Sequence, residues 1–301
     1  MKSLLERIKA GEILISDGAM GTFLFAKGME GGECPESWCV SHPKEVEEIA
    51  EAYVTAGSDV VETNSFGATS FKLKGYGLSD KVHEINVAAA KLAKHAMGDK
   101  GYVAASVGPT GHIVIEEGGD TTAEQLYEAF KAQVVALAEG GADAICIETM
   151  SSVVEAEQAI KATKENTKLP VICTFAFEPG IKGFRTMMGV KPDRAAKVAA
   201  AAGADIVGAN CGNGISNMIE ITRQMRAAAP NVPILIHANA GPPVMEDGKT
   251  VFKETPELMA SFVAELVQAG ANIIGGCCGS TPAHVTAMAK VARALPVNAN
   301  A

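Results

Sequence analysis

Three cysteines of this chain stand where they could bind one metal ion together. Cys277 and Cys278 are adjacent in the stretch IIGGCCGSTPAH, which covers residues 273–284 and follows an apolar run. A disulfide between neighbouring cysteines would strain both the backbone and the bridge, whereas two thiolates on a glycine-rich segment could both bind a soft metal. Cys211 ends another apolar run, DIVGANC, 66 residues before Cys277. A shared site therefore requires a fold that joins the ends of two distant segments.

Three thiolates suit zinc and leave one coordination position open, as in catalytic rather than closed structural sites. Such a centre activates water poorly, but it can bind a fourth thiol and keep it as a nucleophilic thiolate near neutral pH. The cysteines therefore predict alkyl transfer to or from sulfur, with Cys211, Cys277 and Cys278 as metal ligands and catalytic residues. The other four are interpreted as packed or ordinary loop thiols: Cys34, Cys39, Cys146 and Cys173.

The elements that must position these thiols repeat along the chain. The phrases AGSD, GGAD, AGAD and AGAN each follow an alanine-rich helical segment and precede a β-branched run, and glycine after a helix suits a left-handed C′ position. Eight short strands alternating with amphipathic helices in about 300 residues predict a single (β/α)8 TIM barrel. A doubly wound sheet is the competing fold, disfavoured because no strand precedes a dinucleotide or P-loop motif. The other four strands are predicted at 12–18, 101–109, 169–177 and 231–239.

Composition limits the classes of partner. No linker or low-complexity tract interrupts residues 1–301, so one domain is expected. The net charge of −9 argues against a surface for nucleic acid or anionic membranes. The first residues, MKSLLERIKAGE, contain neither a signal peptide nor a membrane span. Seven cysteines without an export signal predict a cytoplasmic protein with reduced thiols.

Seven motifs, in order along the chain, resemble the homocysteine S-methyltransferase family, most closely the homocysteine-binding barrel of cobalamin-dependent methionine synthases. They are DGAMGT (17–22), ETNSFGA (62–68), GPTG (108–111), IETMSSVVEAE (147–157), GANC (208–211), NAGPP (239–243) and GGCCGSTPAH (275–284). The resemblance implies zinc on Cys211, Cys277 and Cys278. It also implies that the glycine-containing loop and Glu148 hold the amino-acid portion of homocysteine, with Asn239 on the same rim. The loop residues are Asp17, Gly18, Ala19, Met20, Gly21 and Thr22.

The resulting hypothesis is a zinc-dependent methyltransferase in methionine biosynthesis. Its zinc would activate the thiol of homocysteine, and the methyl group would come from a corrinoid (methylcobalamin) on a partner protein or from a small donor. The related synthases continue into further domains, so the chain is either a stand-alone subunit or a fragment.

Two alternatives stay open. One is the substrate-specific component of a corrinoid-dependent demethylase, which would move a methyl group from a small compound such as a phenyl methyl ether to a corrinoid protein. The other is a non-catalytic zinc-binding barrel, in which His237 would supply a fourth ligand. The segment CGNGISN also departs from the family pattern, and its Gly212 and Gly214 are expected to reshape one wall of the pocket.

Overall fold

The barrel predicted from the sequence is confirmed. The computed structural model describes residues 2–246 and 249–296. Eight of its strands form the barrel: β1 (Leu14–Ile15), β2 (Val60–Glu62), β3 (Tyr102–Val107), β4 (Ala144–Met150), β5 (Val171–Phe175), β6 (Ile206–Gly214), β7 (Ile234–Asn239) and β10 (Ile273–Gly276). They pair in parallel in the order β1-β10-β7-β6-β5-β4-β3-β2. The Asp59 backbone N–H donates to the Ile15 carbonyl at 2.6 Å and so joins the two outermost strands.

Helices surround the sheet and connect its strands. The helices are α1 (Leu4–Lys9), α2 (Gly21–Ala26), α3 (Trp38–Ser41), α4 (Pro43–Ala56), α5 (Ser70–Lys74), α6 (Val82–Met97), α7 (Ala123–Glu139), α8 (Val153–Asn166), α9 (Pro192–Ala202), α10 (Ile215–Ala228), α11 (Pro256–Ser261), α12 (Val263–Ala269) and α13 (Pro282–Ala294). None of the helices in the described ranges is long and apolar enough to cross a membrane.

The glycines of the repeated phrases occupy the conformation that the sequence predicts. Gly57, Gly141, Gly203 and Gly270 have φ values of 105°, 100°, 107° and 116°. This left-handed conformation is accessible to glycine without a steric penalty, so each glycine can end a helix and direct the chain back to the sheet.

The lower half of the barrel is filled with apolar side chains. Inward-facing residues from all eight strands pack there, and Leu4 and Ile8 of α1 cover that end. Because side chains alternate along a strand, the next inward layer lies two residues further towards the carboxyl ends. That layer carries polar groups, including Glu62, Glu148 and His237. The apolar layer therefore closes the lower end of the barrel, and the polar side chains lie near its carboxyl-terminal mouth.

Two local features differ from the sequence-based expectation. The amphipathic segment PELMASFVAELVQAG (256–270) predicts one helix, but the structure divides it at Phe262 into α11 and α12. A hairpin of β8 (Val244–Glu246) and β9 (Lys249–Val251) follows β7 and was not predicted. The hairpin lies at the mouth because it connects the carboxyl end of a barrel strand to the next helix.

Candidate metal centre and substrate pocket

The three thiols predicted to share a metal lie together at the mouth of the barrel. The Sγ atoms of Cys211, Cys277 and Cys278 all lie within 4.8 Å of one another, and each residue is partly buried. The Sγ atoms of Cys211 and Cys278 are 3.8 Å apart. Sulfurs at about 2.3 Å from a tetrahedral zinc ion would be separated by about 3.8 Å. The donor atoms and their spacing therefore fit zinc.

A local break in β6 turns the Cys211 side chain towards the other two thiols. Its φ of 59° is one of two positive values among the described non-glycine residues. Gly212 follows with φ 70°, and a Cβ there would lie 2.5 Å from the Phe177 carbonyl oxygen. The pairing of β6 with β7 changes register between Asn210 and Gly214. Only glycine fits at 212, and it permits the turn.

The end of β10 places the other two thiols. The Cys277 N–H donates to the Ala238 carbonyl at 2.7 Å, and the Cys278 carbonyl accepts from the Ala240 N–H at 3.0 Å. Gly279 has φ 79°, and a Cβ there would meet the Phe252 side chain at 2.2 Å. Backbone bonds to the segment after β7 therefore fix both cysteines, and the glycine lets the chain turn beneath Phe252.

The thiols influence one another's ionisation. Hydrogen bonds from Cys277 and then Cys278 lower the pKa of Cys211 to about 3, with a smaller contribution from the side chain of Asn239. The contact with Cys211 raises the pKa of Cys277 and is the largest cause that raises the pKa of Cys278 to about 12. The cluster thus favours one thiolate, and a bound cation would favour ionisation of the other two.

Asn210 connects the metal centre to Glu148. Its Nδ2 donates to Glu148 Oε2 at 3.0 Å and to Thr149 Oγ1 at 2.7 Å, and lies 4.0 Å from Cys277 Sγ. Its Oδ1 accepts from the Thr149 N–H at 2.8 Å and from Thr174 Oγ1 at 2.7 Å. Thr149 is the other non-glycine residue with positive φ among those described, at 60°. Asn210 was quoted in the GANC motif but was not predicted as a site residue.

Glu148 lies inside the mouth as the sequence predicts, and it is buried. One carboxylate oxygen accepts from Ser106 Oγ and the other from Asn210. Burial is the main cause that raises the pKa of Glu148 to about 7, and the charges on Asp17 and Cys211 act in the same direction. Its carboxylate therefore lies in an environment that favours a nearby cation.

The loop of residues 17–22 lies against β10. The Asp17 carbonyl accepts from the Gly276 N–H at 2.8 Å, and the Ala19 N–H donates to Ser280 Oγ at 3.2 Å. Tyr53 fixes the loop from below by donating to the Ala19 carbonyl at 2.9 Å. Gly18 and Ala19 are buried, whereas Gly21 and Thr22 in the first turn of α2 are exposed. Close packing brings this loop to the strand that precedes Cys277.

Asp17 carries a buried carboxylate beside the same strand. Its oxygens accept from the Glu62 N–H at 2.7 Å and from Ser16 Oγ at 3.2 Å. Burial is the main cause that raises its pKa from 3.8 to about 7. A folded-state pKa above the unfolded value means that this carboxyl stabilises the fold below about pH 4 and that the contribution is lost as the pH rises through 7.

Replacing Asp17 by asparagine in the metal-free protein is expected to flatten the pH dependence of stability. Between pH 5 and pH 8 the unfolding free energy of the unmodified protein should fall more steeply, by on the order of 3 kcal/mol relative to Asp17→Asn. Urea denaturation at several pH values measures this difference. Parallel curves for the two proteins would contradict a raised pKa at Asp17.

Comparison of nearly the whole chain with known protein families supports the resemblance that the motifs indicate. Residues 14–292 match the family described as homocysteine S-methyltransferase. The chain belongs to this family.

The two methionine synthases that this chain matches are much longer than the chain. It is 29% identical over 300 residues to the methionine synthase of Mycobacterium tuberculosis, a match that covers 92% of this chain and 24% of that protein. The methionine synthase of Mycobacterium leprae is also 29% identical, over 309 residues, which cover 95% of this chain and 25% of that protein. The chain thus spans about a quarter of the length of these relatives.

Solved structures share the fold. The metallated form of the homocysteine methyltransferase MmuM from Escherichia coli superposes with a TM-score of 0.77 at 22% identity, covering 93% of this chain and 96% of that chain. Its oxidized form gives the same TM-score and identity, with coverage of 95% and 97%.

The remaining expectations for individual residues have mixed outcomes. His237 is not part of the one group of metal-binding side chains found in residues 2–246 and 249–296, which contains the three thiols alone. The prediction of His237 as a fourth ligand is therefore wrong.

Gly214 contacts a carboxylate, because a Cβ there would lie 2.3 Å from Glu254 Oε1. All four remaining cysteines are buried, including Cys34 and Cys39, which were expected to be ordinary loop thiols.

Proposed function

We propose that this chain is a zinc-dependent homocysteine S-methyltransferase, and that Cys211, Cys277 and Cys278 hold the zinc. The observation that carries the proposal is the convergence of three thiols at the mouth of a barrel of this family, with a 3.8 Å separation between two of them. Zinc on three thiolates would bind the thiol of homocysteine as a fourth ligand and favour its nucleophilic thiolate near neutral pH.

The residues around the thiols bind and orient the amino acid. The loop from Asp17 to Thr22 supplies backbone groups for the substrate carboxylate, and Asp17, Glu148 and Asn239 surround its ammonium group. Asn210 holds Glu148 in place through its amide. Because the methyl transfer is an in-line displacement, alignment of sulfur and methyl donor contributes more to the rate than acid–base chemistry.

The exterior of the mouth favours a large methyl donor. Among the described residues, every exposed large apolar side chain follows the carboxyl end of a barrel strand. Each lies before, or in the first turn of, the helix that leads back to the next strand. Examples are Phe25, Phe66, Ile113, Ile115, Met187 and Met245. Exposed apolar surface concentrated on one end of a barrel is typical of interaction sites. We propose that they contact a corrinoid protein that presents methylcobalamin to the substrate.

The cysteines also bear on location. All seven are unpaired in the structure, including Cys211 and Cys278 with sulfurs 3.8 Å apart. The proposed metal centre needs all three of its thiols reduced, so we propose a cytoplasmic protein.

Zinc K-edge absorption on the purified protein, with and without L-homocysteine, tests the function. We expect the number of sulfur neighbours of zinc to increase from about three to about four when the amino acid binds. Methionine should then form from methylcobalamin with the loaded protein. Zinc that is bound but unaffected by homocysteine would defeat the proposal and favour the demethylase alternative, for which methylated ethers with a corrinoid protein would be the next substrates.

A further inference from the structure

Residues 252–254, which we call the bridging segment, contact both parts of the chain that carry the three thiols. The segment lies between β9 and α11. Hydrogen bonds fix its backbone at the mouth of the barrel: the Glu254 N–H donates to the Ala240 carbonyl at 2.9 Å, and the Glu254 carbonyl accepts from His284 Nε2 at 2.9 Å. The bridging segment therefore joins the loop after β7 to α13.

Cys211 has a backbone conformation that its surroundings must impose. Its φ of 59° lies in the left-handed region, which is unfavourable for a residue with a Cβ. Such a conformation persists only where neighbouring groups hold it. On the side of β5, the Phe177 carbonyl accepts from Asn213 Nδ2 and lies against Gly212. This contact restrains the turn on one side.

Glu254 restrains the same turn on the side of β7. A Cβ on Gly214 would lie 2.3 Å from Glu254 Oε1, so the carboxylate packs directly on the backbone there. Its other oxygen accepts from the Ile215 N–H at the long distance of 3.4 Å. Helix α10 begins at Ile215, and its N-cap residue, Gly214, has no side chain for capping. The Glu254 carboxylate therefore takes the position of a helix cap, where negative charge is favourable, beside the Cys211 turn.

Phe252 contacts the turn that carries the other two thiols. Its side chain packs on Gly279, where a Cβ would lie 2.2 Å from Phe252 Cγ. Gly279 directly follows Cys278 and has φ 79°. The turn is closed by Ser280, whose N–H and hydroxyl donate to the Cys277 carbonyl at 3.1 Å and 2.7 Å. Phe252 therefore covers the turn that sets the direction of both adjacent thiols.

We propose that Phe252 and Glu254 are positioning residues of the metal centre. They hold the Cys211 turn and the turn after Cys277 and Cys278 at the separation that one metal ion requires. Each acts through the backbone of the segment on which it packs. The inference rests on the proposed function for the metal, whereas the restraint on the two turns is a property of the metal-free protein and can be measured separately.

Hydrogen exchange of the metal-free protein tests the restraint directly. Glu254→Ala should speed the amide exchange of residues 211–215 about tenfold, because it removes a hydrogen bond to a charged group and opens space beside Gly214. Phe252→Ala should have the same effect on residues 277–281. Glu254→Gln and Phe252→Tyr keep the shape of the side chains and should retain most of the protection. Unchanged exchange at its own turn in either alanine variant would overturn the role of that residue.

Metal release provides the second measurement. Zinc transfer to a chromophoric chelator should be about tenfold or more faster from each alanine variant, as is typical when groups that orient metal ligands are lost. With Co²⁺ in place of zinc, the visible ligand-field bands should shift because the arrangement of the sulfurs changes. A release rate and a cobalt spectrum equal to those of the unmodified protein would contradict the proposal.

Two control variants separate positioning from general stability. Glu257→Gln alters an exposed carboxylate in the first turn of α11, and Phe262→Ala removes a partly buried ring at the junction of α11 and α12. Both should leave metal release and the exchange at the two turns unchanged, although Phe262→Ala should lower the free energy of unfolding. Metal release that follows the free energy of unfolding alone, in this control as in the alanine variants, would overturn the proposal.

The outcomes also distinguish this proposal from the proposed function. If the unmodified protein binds neither zinc nor Co²⁺, the proposed function fails, and hydrogen exchange alone decides whether Phe252 and Glu254 restrain the two turns. Thermal unfolding identifies an alanine variant that fails to fold, in which case the other alanine variant decides.

Discussion

The Cys277→Ala protein is expected to lose both its zinc and its methyltransferase activity. Zinc sites with four protein ligands have apparent binding free energies of about 10–16 kcal/mol, or roughly 3 kcal/mol per ligand. Removing one of three thiolates should therefore weaken zinc binding by a factor of about 100 or more. Because the Cys277 Sγ also lies close to Asn210 Nδ2, the substitution removes the thiol nearest the network that holds Glu148.

Zinc content after dialysis against a chelator, together with methionine formation, measures this loss. Cys173→Ala is the matched control, because this buried thiol lies within β5 and outside the group of three. It should destabilise the barrel slightly by leaving a small cavity and retain zinc. A Cys277→Ala protein with one zinc per chain and normal turnover would exclude the proposed metal centre.

The Asn210→Ala substitution should have the second-largest effect, although Asn210 is not a ligand. The change leaves four groups without these hydrogen bonds: Glu148 Oε2, the Thr149 hydroxyl, the Thr149 backbone N–H and the Thr174 hydroxyl. Unpaired buried groups cost about 1–3 kcal/mol each. Loss of the groups that orient metal ligands typically weakens metal binding about 10- to 100-fold. We therefore expect lower stability, weaker zinc binding and weaker binding of homocysteine together.

Urea unfolding and competition with a chromophoric chelator would measure these effects. Asn217→Ala is a suitable control because Asn217 is exposed and its amide contacts only the Asn213 side chain among the described residues. Unfolding and zinc binding equal to those of the unmodified protein would show that Asn210 does not support the centre.

The sequence predicted features that depend on local pattern. Alternation of strands and helices predicted the barrel, and the glycines at 57, 141, 203 and 270 predicted helix ends that the φ values confirm. The convergence of Cys211 with Cys277 and Cys278 followed from their strand-end positions and is present in the structure. These features can be predicted because the spacing of apolar residues distinguishes helices from strands, and the alternation of the two implies parallel strands.

The side-chain contacts between different strands could not be predicted from the sequence. Asn210 bonds to residues about 60 positions earlier, Glu148 and Thr149, and no pattern identifies which polar residue at a strand end will face another. Glu62 and His237 lie across the barrel from each other, a relationship that depends on barrel register. The division of the segment 256–270 at Phe262 likewise depends on packing rather than on helix propensity.

The position of β10 has a consequence for the order in which the molecule assembles. This strand inserts between β7 and β1, far apart in the chain, and it delivers two of the three thiols. A nascent chain in which β1 to β7 have already formed therefore has only one thiol of the site. Metal capture must follow the docking of the last strand, and an ion held by all three thiols would then oppose the departure of that strand. If the three thiols hold a metal ion as proposed, the ion would bind late in assembly and would stabilise the closed barrel.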